Sequence, residues 1–423
     1  MENRMLLINT FLLLVIDIYI YFALRGTTMR FAHTKAFPYL WWGYSLLLFT
    51  ALMISFNFQI PQLPRSIILV LFFITAVSKF LYLPFIILDE IRRGGTWIYR
   101  LLSKKKYPNK EETEKKPQTK SPVTRSEFLM KSGIFVASLP ILPLSWGVIS
   151  STYDYKVIRK KLYLPNLPKA FHGFKIAQVS DIHSGSFYNK KAVQGGVEML
   201  LNEKPDAIFF TGDLVNNRSN EMYGYQDIFS KLKARFGVYS VLGNHDYGEY
   251  YYGFEDSPEK QKNLKDLIET HKVMGWDLLM DEHRKIKVDN EELCIAGVQN
   301  WGAGRFPKKG DLQKALKGTE EQPVKLLLSH DPSHWRAQVL STDVDVMFAG
   351  HTHGMQFGVR TKNFQWSPAQ YVYNEWAGLY QEKHQKLYVN VGYGFLGYPG
   401  RVGILPEITL FELISGEERN TEV

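Results

Sequence analysis

The chain has 423 residues, a formal net charge of +9 and one cysteine. That length exceeds one typical domain, and the lone Cys294 excludes an internal disulfide and any thiolate zinc cluster. The positive charge gathers in one segment rather than on a face with interleaved aromatics, so it gives no reason to expect nucleic-acid binding.

Three apolar stretches, roughly Met5 to Leu24, Phe37 to Phe58 and Ser66 to Leu88, each approach the ~20 helical residues that span a bilayer core. They predict a three-helix transmembrane region over residues 1–91. A basic linker follows over 92–127, carrying Arg92, Arg93, Arg100, Lys104, Lys105, Lys106, Lys110, Lys115, Lys116, Lys120 and Arg125. Its part from Pro108 to Pro122 has no apolar period and reads as a solvated, flexible linker. A fourth apolar segment within 128–150 is shorter and holds Pro140 and Pro143. It reads as a fourth membrane helix, with an interfacial helix as the alternative.

Positive charge marks the cytoplasmic side of such spans. The basic linker and the first loop (Arg25, Arg30, Lys35) belong there, and the second loop, with only Arg65, faces out. The expectation is a multi-pass protein of an inner or cytoplasmic membrane with everything after Ile149 extracytoplasmic. Arg4 at an external N-terminus runs against it. Thr124 to Leu129 resembles a twin-arginine export signal lacking one arginine, which points the same way as the linker. Two ionisable residues inside the spans, Asp17 and Lys79, fall at a similar depth at ~1.5 Å per residue, and they are expected either to pair or to act apart, Lys79 snorkelling and Asp17 facing a polar cavity.

From Tyr155 onward, apolar β-rich runs alternate with helical patterns. The runs are 174–179, 207–210, 237–242, 324–328, 344–348, 387–391 and 408–413, with helical spacing over Lys191–Glu203 and Tyr225–Phe236. The alternation predicts an α/β sandwich over residues 151–423. Ligand sites in such sheets lie beyond the carboxyl ends of strands. Five polar clusters fall there: Asp181-Ile182-His183, Gly212-Asp213, Gly243-Asn244-His245-Asp246, Ser329-His330-Asp331 and Gly350-His351-Thr352-His353-Gly354. Carboxylate, imidazole and amide donors from five loops suit a pair of divalent cations, and two such cations suit phosphoester hydrolysis. The region from Tyr247 to Pro323, with Tyr250-Tyr251-Tyr252 and the basic loop Arg305 to Lys309, is the candidate substrate rim.

A lone Asp-x-His is weak evidence, but the strings Gly-Asn-His-Asp and Gly-His-Thr-His-Gly, in this order and each after a strand, are specific. Over roughly Lys175 to Leu413 the chain resembles the calcineurin-like metallophosphoesterase superfamily, specifically its single-domain bacterial branch with an N-terminal membrane or export segment. Val389 to Gly392, Arg401 to Gly403 and Pro406 to Ile408 carry the same likeness. Met355 departs from it, standing where the branch has a second glycine, and is expected to narrow the entrance. The resemblance implies a metallophosphoesterase-type β-sandwich flanked by helices. It implies one metal on Asp181, His183, Asp213 and His353 and another on Asp213, Asn244, His330 and His351. Asp213 would bridge the two and a bridging hydroxide would attack phosphorus. His245 would reach the phosphate or protonate the leaving oxygen, with Asp246 fixing its tautomer. Asn216, Asn217 and Arg401 are further candidates for the phosphate side, and His334 is expected at the surface or behind the ligands.

These readings add up to a membrane-anchored phosphohydrolase, a phosphodiesterase or pyrophosphatase, using two divalent ions (Mn²⁺, Zn²⁺ or Fe). Its substrate would be a phosphoester, lipid-linked or soluble. The alternatives are a metal-binding scaffold or sensor without catalysis and a cytoplasm-facing nucleotide phosphatase.

Overall fold

The computed structural model describes residues 2–58, 60–103, 124–304, 306–361 and 363–417, with side chains from residue 12 onward. Residues 104–123 of the basic linker, and Arg305 of the basic loop, lie outside the described residues. The chain divides into two units, Met1–Ser145 and Trp146–Val423.

The first unit holds helices α1 (Glu2–Arg25), α2 (Ala36–Asn57), α3 (Gln62–Ser103) and α4 (Arg125–Ser138), followed by α5 (Ile141–Trp146), which ends at the division. Among the described residues three helical segments, Ala36–Asn57, Gln62–Ser103 and Arg125–Ser151, are long and apolar enough to cross a membrane. Helix α3 continues past the expected start of the linker and includes Arg92, Arg93 and Arg100. The Asp89 carboxylate is buried and accepts from Arg92 Nε at 3.0 Å, one turn further along, and from Ser126 Oγ of α4 at 2.7 Å. These bonds satisfy a buried charge, and the one from Ser126 ties α4 to α3. Helix α4 begins within the segment that resembles an export signal, where the Thr124 hydroxyl caps it by accepting from Glu127 N. Asp17 and Lys79 pair, Nζ to Oδ1 at 2.5 Å.

The second unit is a sandwich of two six-stranded sheets. The first contains β1 (Lys156–Leu164), β2 (Lys175–Val179), β3 (Ala207–Phe210), β4 (Val238–Ser240), β5 (Asp277–Leu278) and the last strand, β14 (Glu407–Ser415), in the order β1-β14-β2-β3-β4-β5. The second contains β6 (Glu282–Val288), β7 (Glu291–Gly297), β8 (Lys325–Leu328), β9 (Val346–Ala349), β12 (Gly378–Glu382) and β13 (Gln385–Val389), in the order β12-β13-β9-β8-β7-β6. A two-stranded hairpin, β10 (Val359–Arg360) with β11 (Gln365–Trp366), stands apart.

Side-chain alternation sorts each strand between two cores. Ala207 and Phe209 join Leu326, Leu328 and Phe348 between the sheets, where Phe209 meets Phe348 edge-on at 5.2 Å. Ile208 and Phe210 face outward and pack with Val193, Val197 and Leu200 of α6 (Lys190–Asn202). Leu327 and Met347 face the other way and pack with Leu312, Ala315 and Trp335. The expected strands match β2, β3, β4, β8, β9, β13 and β14. The expected helix Tyr225–Phe236 is only α7 (Gln226–Phe229), after which the Ser230 hydroxyl turns back onto the Gln226 carbonyl at 2.6 Å. The hairpin β6–β7 was not anticipated: β6 is a Lys-rich strand on the sheet's outer edge, and the buried run of β7, Leu293 to Gly297, is short.

Candidate metal centre

Five strands, three neighbours from the first sheet and two from the second, parallel within each sheet, deliver the candidate ligands. Asp181 and His183 follow β2, Asp213 follows β3, Asn244 follows β4, His330 follows β8, and His351 and His353 follow β9. The chain must turn within a few residues of each strand end, and it does so sharply. Asp181, His183, Asp213, His351 and His353 all have left-handed φ, between 48° and 72°. Non-glycine residues adopt that region at a conformational penalty, and such residues concentrate where the surroundings fix a functional geometry. Close approach also requires Gly350, where a Cβ would collide with the Ser180 hydroxyl and the Asp181 carboxylate.

Two groups form. Ligand atoms of Asp181, His183 and His353 lie within 4.8 Å of one another, and so do those of Asp213, His330 and His351. Asp213 sits between them: its Oδ2 is 3.1 Å from His330 Nε2 and 3.5 Å from His183 Nε2. All of these residues are buried or nearly so.

The donor set fits two cations. His183 Nδ1 and Nε2, His353 Nε2 and Asn244 Oδ1 are buried and have no hydrogen-bond partner, an expensive arrangement for polar atoms left as they are. His330 and His351 present Nε2 and Nδ1 to each other at 3.2 Å, while their other nitrogens bond to the Thr211 carbonyl (2.7 Å) and the Tyr373 hydroxyl (2.8 Å). Those outer bonds fix each ring with one lone pair turned into the site. Burial holds His183 down to about 3 and His351 down to about 4, so both imidazoles are neutral at pH 7 and able to ligate.

With metal stripped, the same groups hold protons. Burial pushes Asp181 up to about 7, although His330 beside it opposes the shift. Burial would lower His330, but the Asp213 carboxylate overrides it and raises the ring to about 10. Both lie above their unfolded values, so their bound protons stabilise the stripped protein fully below those values. For Asp181 that contribution is lost as pH rises through about 7, and for His330 through about 10. The stripped protein should therefore melt at lower temperature at pH 8.5 than at 6.5. Because loading displaces the His330 proton, and below about 7 the Asp181 proton as well, Mn²⁺ affinity should rise by at least about tenfold per pH unit across neutrality. Titration calorimetry in buffers of different ionisation enthalpy measures both the affinity and the proton release, and an affinity flat with pH would refute the assignment.

Several expected roles change. The Asp246 carboxylate does not reach His245. It accepts from the backbone N–H groups of Gly243 (2.9 Å), Asp213 (3.0 Å), Leu214 (2.9 Å) and Val215 (3.3 Å), and so clamps the loop that carries Asp213. The His245 ring is fixed instead by the Asn216 carbonyl, 2.7 Å from Nδ1. The Asn216 side chain meets Ser186 Oγ, Nδ2 to Oγ at 3.0 Å, and the Asn217 carbonyl accepts from Asn263. Arg401 is fully buried, with Nε and Nη atoms turned to the carbonyls of Gly394, Val391 and Ile404 and one Nη 3.2 Å from His353 Nδ1. It braces the His353 ring rather than a phosphate. His334 takes the second of its two expected places, behind the ligands: it is buried, bonded to Ser329 Oγ next to His330 at 2.8 Å and stacked on Trp301.

The structure also brings in contacts to the ligands that the sequence did not assign. Tyr373 holds His351, and the Tyr250 hydroxyl accepts from Asn244 Nδ2 at 3.0 Å while its ring lies 4.5 Å from that of His245. Phe306 meets the His351 ring edge-on at 4.8 Å. Tyr250 and Phe306 come from the expected rim, whereas nothing in the local sequence around Tyr373 signals a metal-site contact.

Comparison with known proteins agrees with this geometry. Residues 174–355 match the family model described as calcineurin-like phosphoesterase, and residues 3–152 match the model described as "Probable Calcineurin-like phosphoesterase, transmembrane domain". The chain belongs to the calcineurin-like phosphoesterases. It is 29% identical over 275 residues to a Danio rerio "Transmembrane protein with metallophosphoesterase domain", covering 62% of this chain and 58% of that protein. The Bos taurus protein of the same description is 27% identical over 269 residues, with the same coverage. A Bacillus subtilis "Uncharacterized metallophosphoesterase YkuE" is 29% identical over 255 residues, covering 59% of this chain and 82% of that one. The match thus spans little more than half the length of the two vertebrate relatives.

Proposed function

We propose that this calcineurin-like phosphoesterase is a membrane-anchored, metal-dependent phosphohydrolase for phosphodiesters or pyrophosphates, with its site outside the cytoplasm. The observation that carries the reading is the convergence of buried, unpartnered donors on His183, Asn244 and His353 with the facing nitrogens of His330 and His351. Asp181, His183, Asp213 and His353 would hold one divalent ion, and Asp213, Asn244, His330 and His351 the other. The bound pair supplies Lewis acidity and neutralises charge developing on the phosphoryl oxygens.

The chain's own residues do the rest. Asp213 keeps His330 oriented and accepts the His245 backbone N–H at 2.9 Å, which ties the histidine to the ligand beside it. With Nδ1 donating to the Asn216 carbonyl, the His245 ring has only Nε2 left to exchange a proton. Burial holds that ring neutral, and the negative charge of an arriving phosphoester offsets the burial, so Nε2 can carry the proton passed to the leaving oxygen. Tyr250 and Tyr373 keep Asn244 and His351 from rotating away. The anchor suits a lipid-linked phosphate as substrate.

The full chain in detergent, stripped of metal and reloaded with Mn²⁺, should hydrolyse a chromogenic phosphodiester faster than the matching monoester, and His245→Ala should abolish turnover while leaving metal content intact. No turnover with Mn²⁺, Zn²⁺ or Fe, by a folded protein binding two ions, would rule the reading out. The orientation rests on the excess of Arg and Lys in the basic linker. It fails if a reporter fused at the C-terminus works only when confined to the cytoplasm.

A further inference from the structure

The polypeptide leaves the metal centre at His353 and returns to it at Tyr373, whose hydroxyl meets His351. What it carries between those points has no role in the chemistry described so far. Met355, Phe357, Val359, Phe364, Tyr371 and Val372 are all exposed, Phe364 at 59% and Tyr371 at 75%. They make up half of the exposed large apolar side chains described from Tyr153 onward, gathered in under twenty residues around the hairpin β10–β11. Met355 has a left-handed φ of 47°, a conformation that favours glycine, yet it places a long apolar side chain 45% exposed beside the ligand loop. Among the described residues of the hairpin the charged side chain, Arg360, is ion-paired with the buried Glu407, while Lys362 lies outside the described residues. A soluble surface would be expected to scatter such residues singly, and their concentration in one segment marks something that covers it.

The same unit shows where that patch is rooted. Residues Gly147–Ser151, which end the last segment of membrane-crossing length, are tied to the loop 399–402. Arg401 N donates to the Gly147 carbonyl at 3.1 Å, and the Thr152 hydroxyl reaches the Pro399 carbonyl at 3.3 Å. A Cβ on Gly147 would lie only 2.7 Å from the Val402 side chain, so the approach is close. The loop then pairs directly with the start of the apolar segment: Val402 N donates to the Gln356 carbonyl at 2.7 Å, and Gly358 N to the Val402 carbonyl at 2.9 Å. Trp146 and Ile149, at this chain exit, are themselves exposed.

We infer that Met355–Val372 is a membrane-dipping collar that seats the metal centre against the bilayer surface, so that it receives phosphoesters from lipid. Phe, Trp and Tyr side chains favour the lipid headgroup level, and the hairpin satisfies its own backbone groups at Val359–Trp366 and Arg360–Gln365, as a segment entering a poorly hydrated layer must. The lipid surface is preferred to a protein partner because the collar's root is bonded to the residues where the chain leaves a membrane-length helix. The consequence for substrate choice rests on the phosphohydrolase reading, while the membrane contact does not.

The test uses the full chain in nanodiscs of phosphatidylcholine and phosphatidylglycerol. Single cysteines replace Phe364 or Val372 in the collar, or Met199 or Val273 on other exposed surfaces, and each carries an environment-sensitive fluorophore. Cys294 is buried, with its thiol pushed up to about 11, and stays unlabelled. Quenching by spin-labelled lipid should exceed quenching by a water-soluble agent several-fold at positions 364 and 372, with the reverse at 199 and 273. Equal access of the soluble quencher at all four positions would overturn the inference. So would collar positions shielded from both quenchers, which would mean that protein covers them. In addition, the double variant Phe364→Ser with Val372→Ser should lower turnover of a bilayer-embedded phosphodiester several-fold and leave that of bis(p-nitrophenyl) phosphate unchanged. An equal loss on both substrates would assign the collar a structural role instead. Absence of any hydrolysis would refute the phosphohydrolase reading but would not alter the depth result.

Discussion

Asp213→Asn is expected to lower phosphodiester turnover by at least about 100-fold, the scale on which a preorganised electrostatic group contributes to catalysis, and to leave the protein with no more than one tightly held metal. The substitution keeps the side chain's size and one oxygen, which can still accept the His245 backbone N–H. It removes the negative charge that lies 3.1 Å from His330 and 3.5 Å from His183, the one group placed to serve both ligand sets. Two dications close together need a carboxylate between them to offset their repulsion, and an amide cannot supply that charge. The proton on His330 should also become easier to lose, because the Asp213 carboxylate is what raises the ring against its burial. Metal content by mass spectrometry, turnover, and the near-ultraviolet circular dichroism of the variant decide the matter. Two retained metals with turnover within about tenfold of the parent would remove Asp213 from the bridging position.

The second large effect is expected far from the chemistry. Asp17 and Lys79 form an ion pair at 2.5 Å inside the helical unit, with side chains only 7% and 13% exposed, and the Lys79 ammonium lies 6.0 Å from the centre of the Trp41 ring. Replacing either partner with leucine strands the other charge among apolar helices. At ~2.5–3.5 kcal/mol for a charge at mid-membrane on insertion scales, each single variant should lose roughly 2–3 kcal/mol of stability. The double variant should lose less than the two singles summed, by about 1 kcal/mol or more, because it leaves no charge unpaired. Unfolding of the full chain in mixed micelles measures the cycle. Strictly additive losses would show that the pair does not lock α1 to α3 and that each residue acts alone.

Much of the site was legible before any coordinates. Asp181, His183, Asp213, Asn244, His330, His351 and His353 are ligand-type residues placed directly after apolar β runs, and within each sheet neighbouring parallel strands bring their carboxyl ends to one edge. Residue type, spacing and strand period are local properties, so their convergence could be expected. Two membrane-length segments, α2 and α3, were legible for the same reason, since an unbroken apolar run is a property of sequence alone, while the third, Arg125–Ser151, is longer than the apolar run read there. The pairing of Asp17 with Lys79 could be proposed from depth along two helices, though not chosen over their acting apart.

The roles that changed depend on which backbone groups a side chain meets, and sequence carries no signal for that. Asp246 adjoins His245 in the chain, yet its carboxylate finds four N–H groups at the ends of β3 and β4 while the His245 ring finds the Asn216 carbonyl. Arg401, a cation in a polar loop, is drawn into the interior because the carbonyls of a tight turn at 391–394 need donors. Tyr373 reaches His351 only because a loop of some twenty residues closes back on the site, and the exposure of Met355 to Val372 appears only once the rest of the sandwich has been buried. The sequence by itself determined which atoms could bind metal and which segments could cross a membrane, because both follow from residue type and period. Only the tertiary structure decided which groups hold those ligands in place and which apolar surface remains uncovered, because both depend on partners contributed by segments distant in the chain.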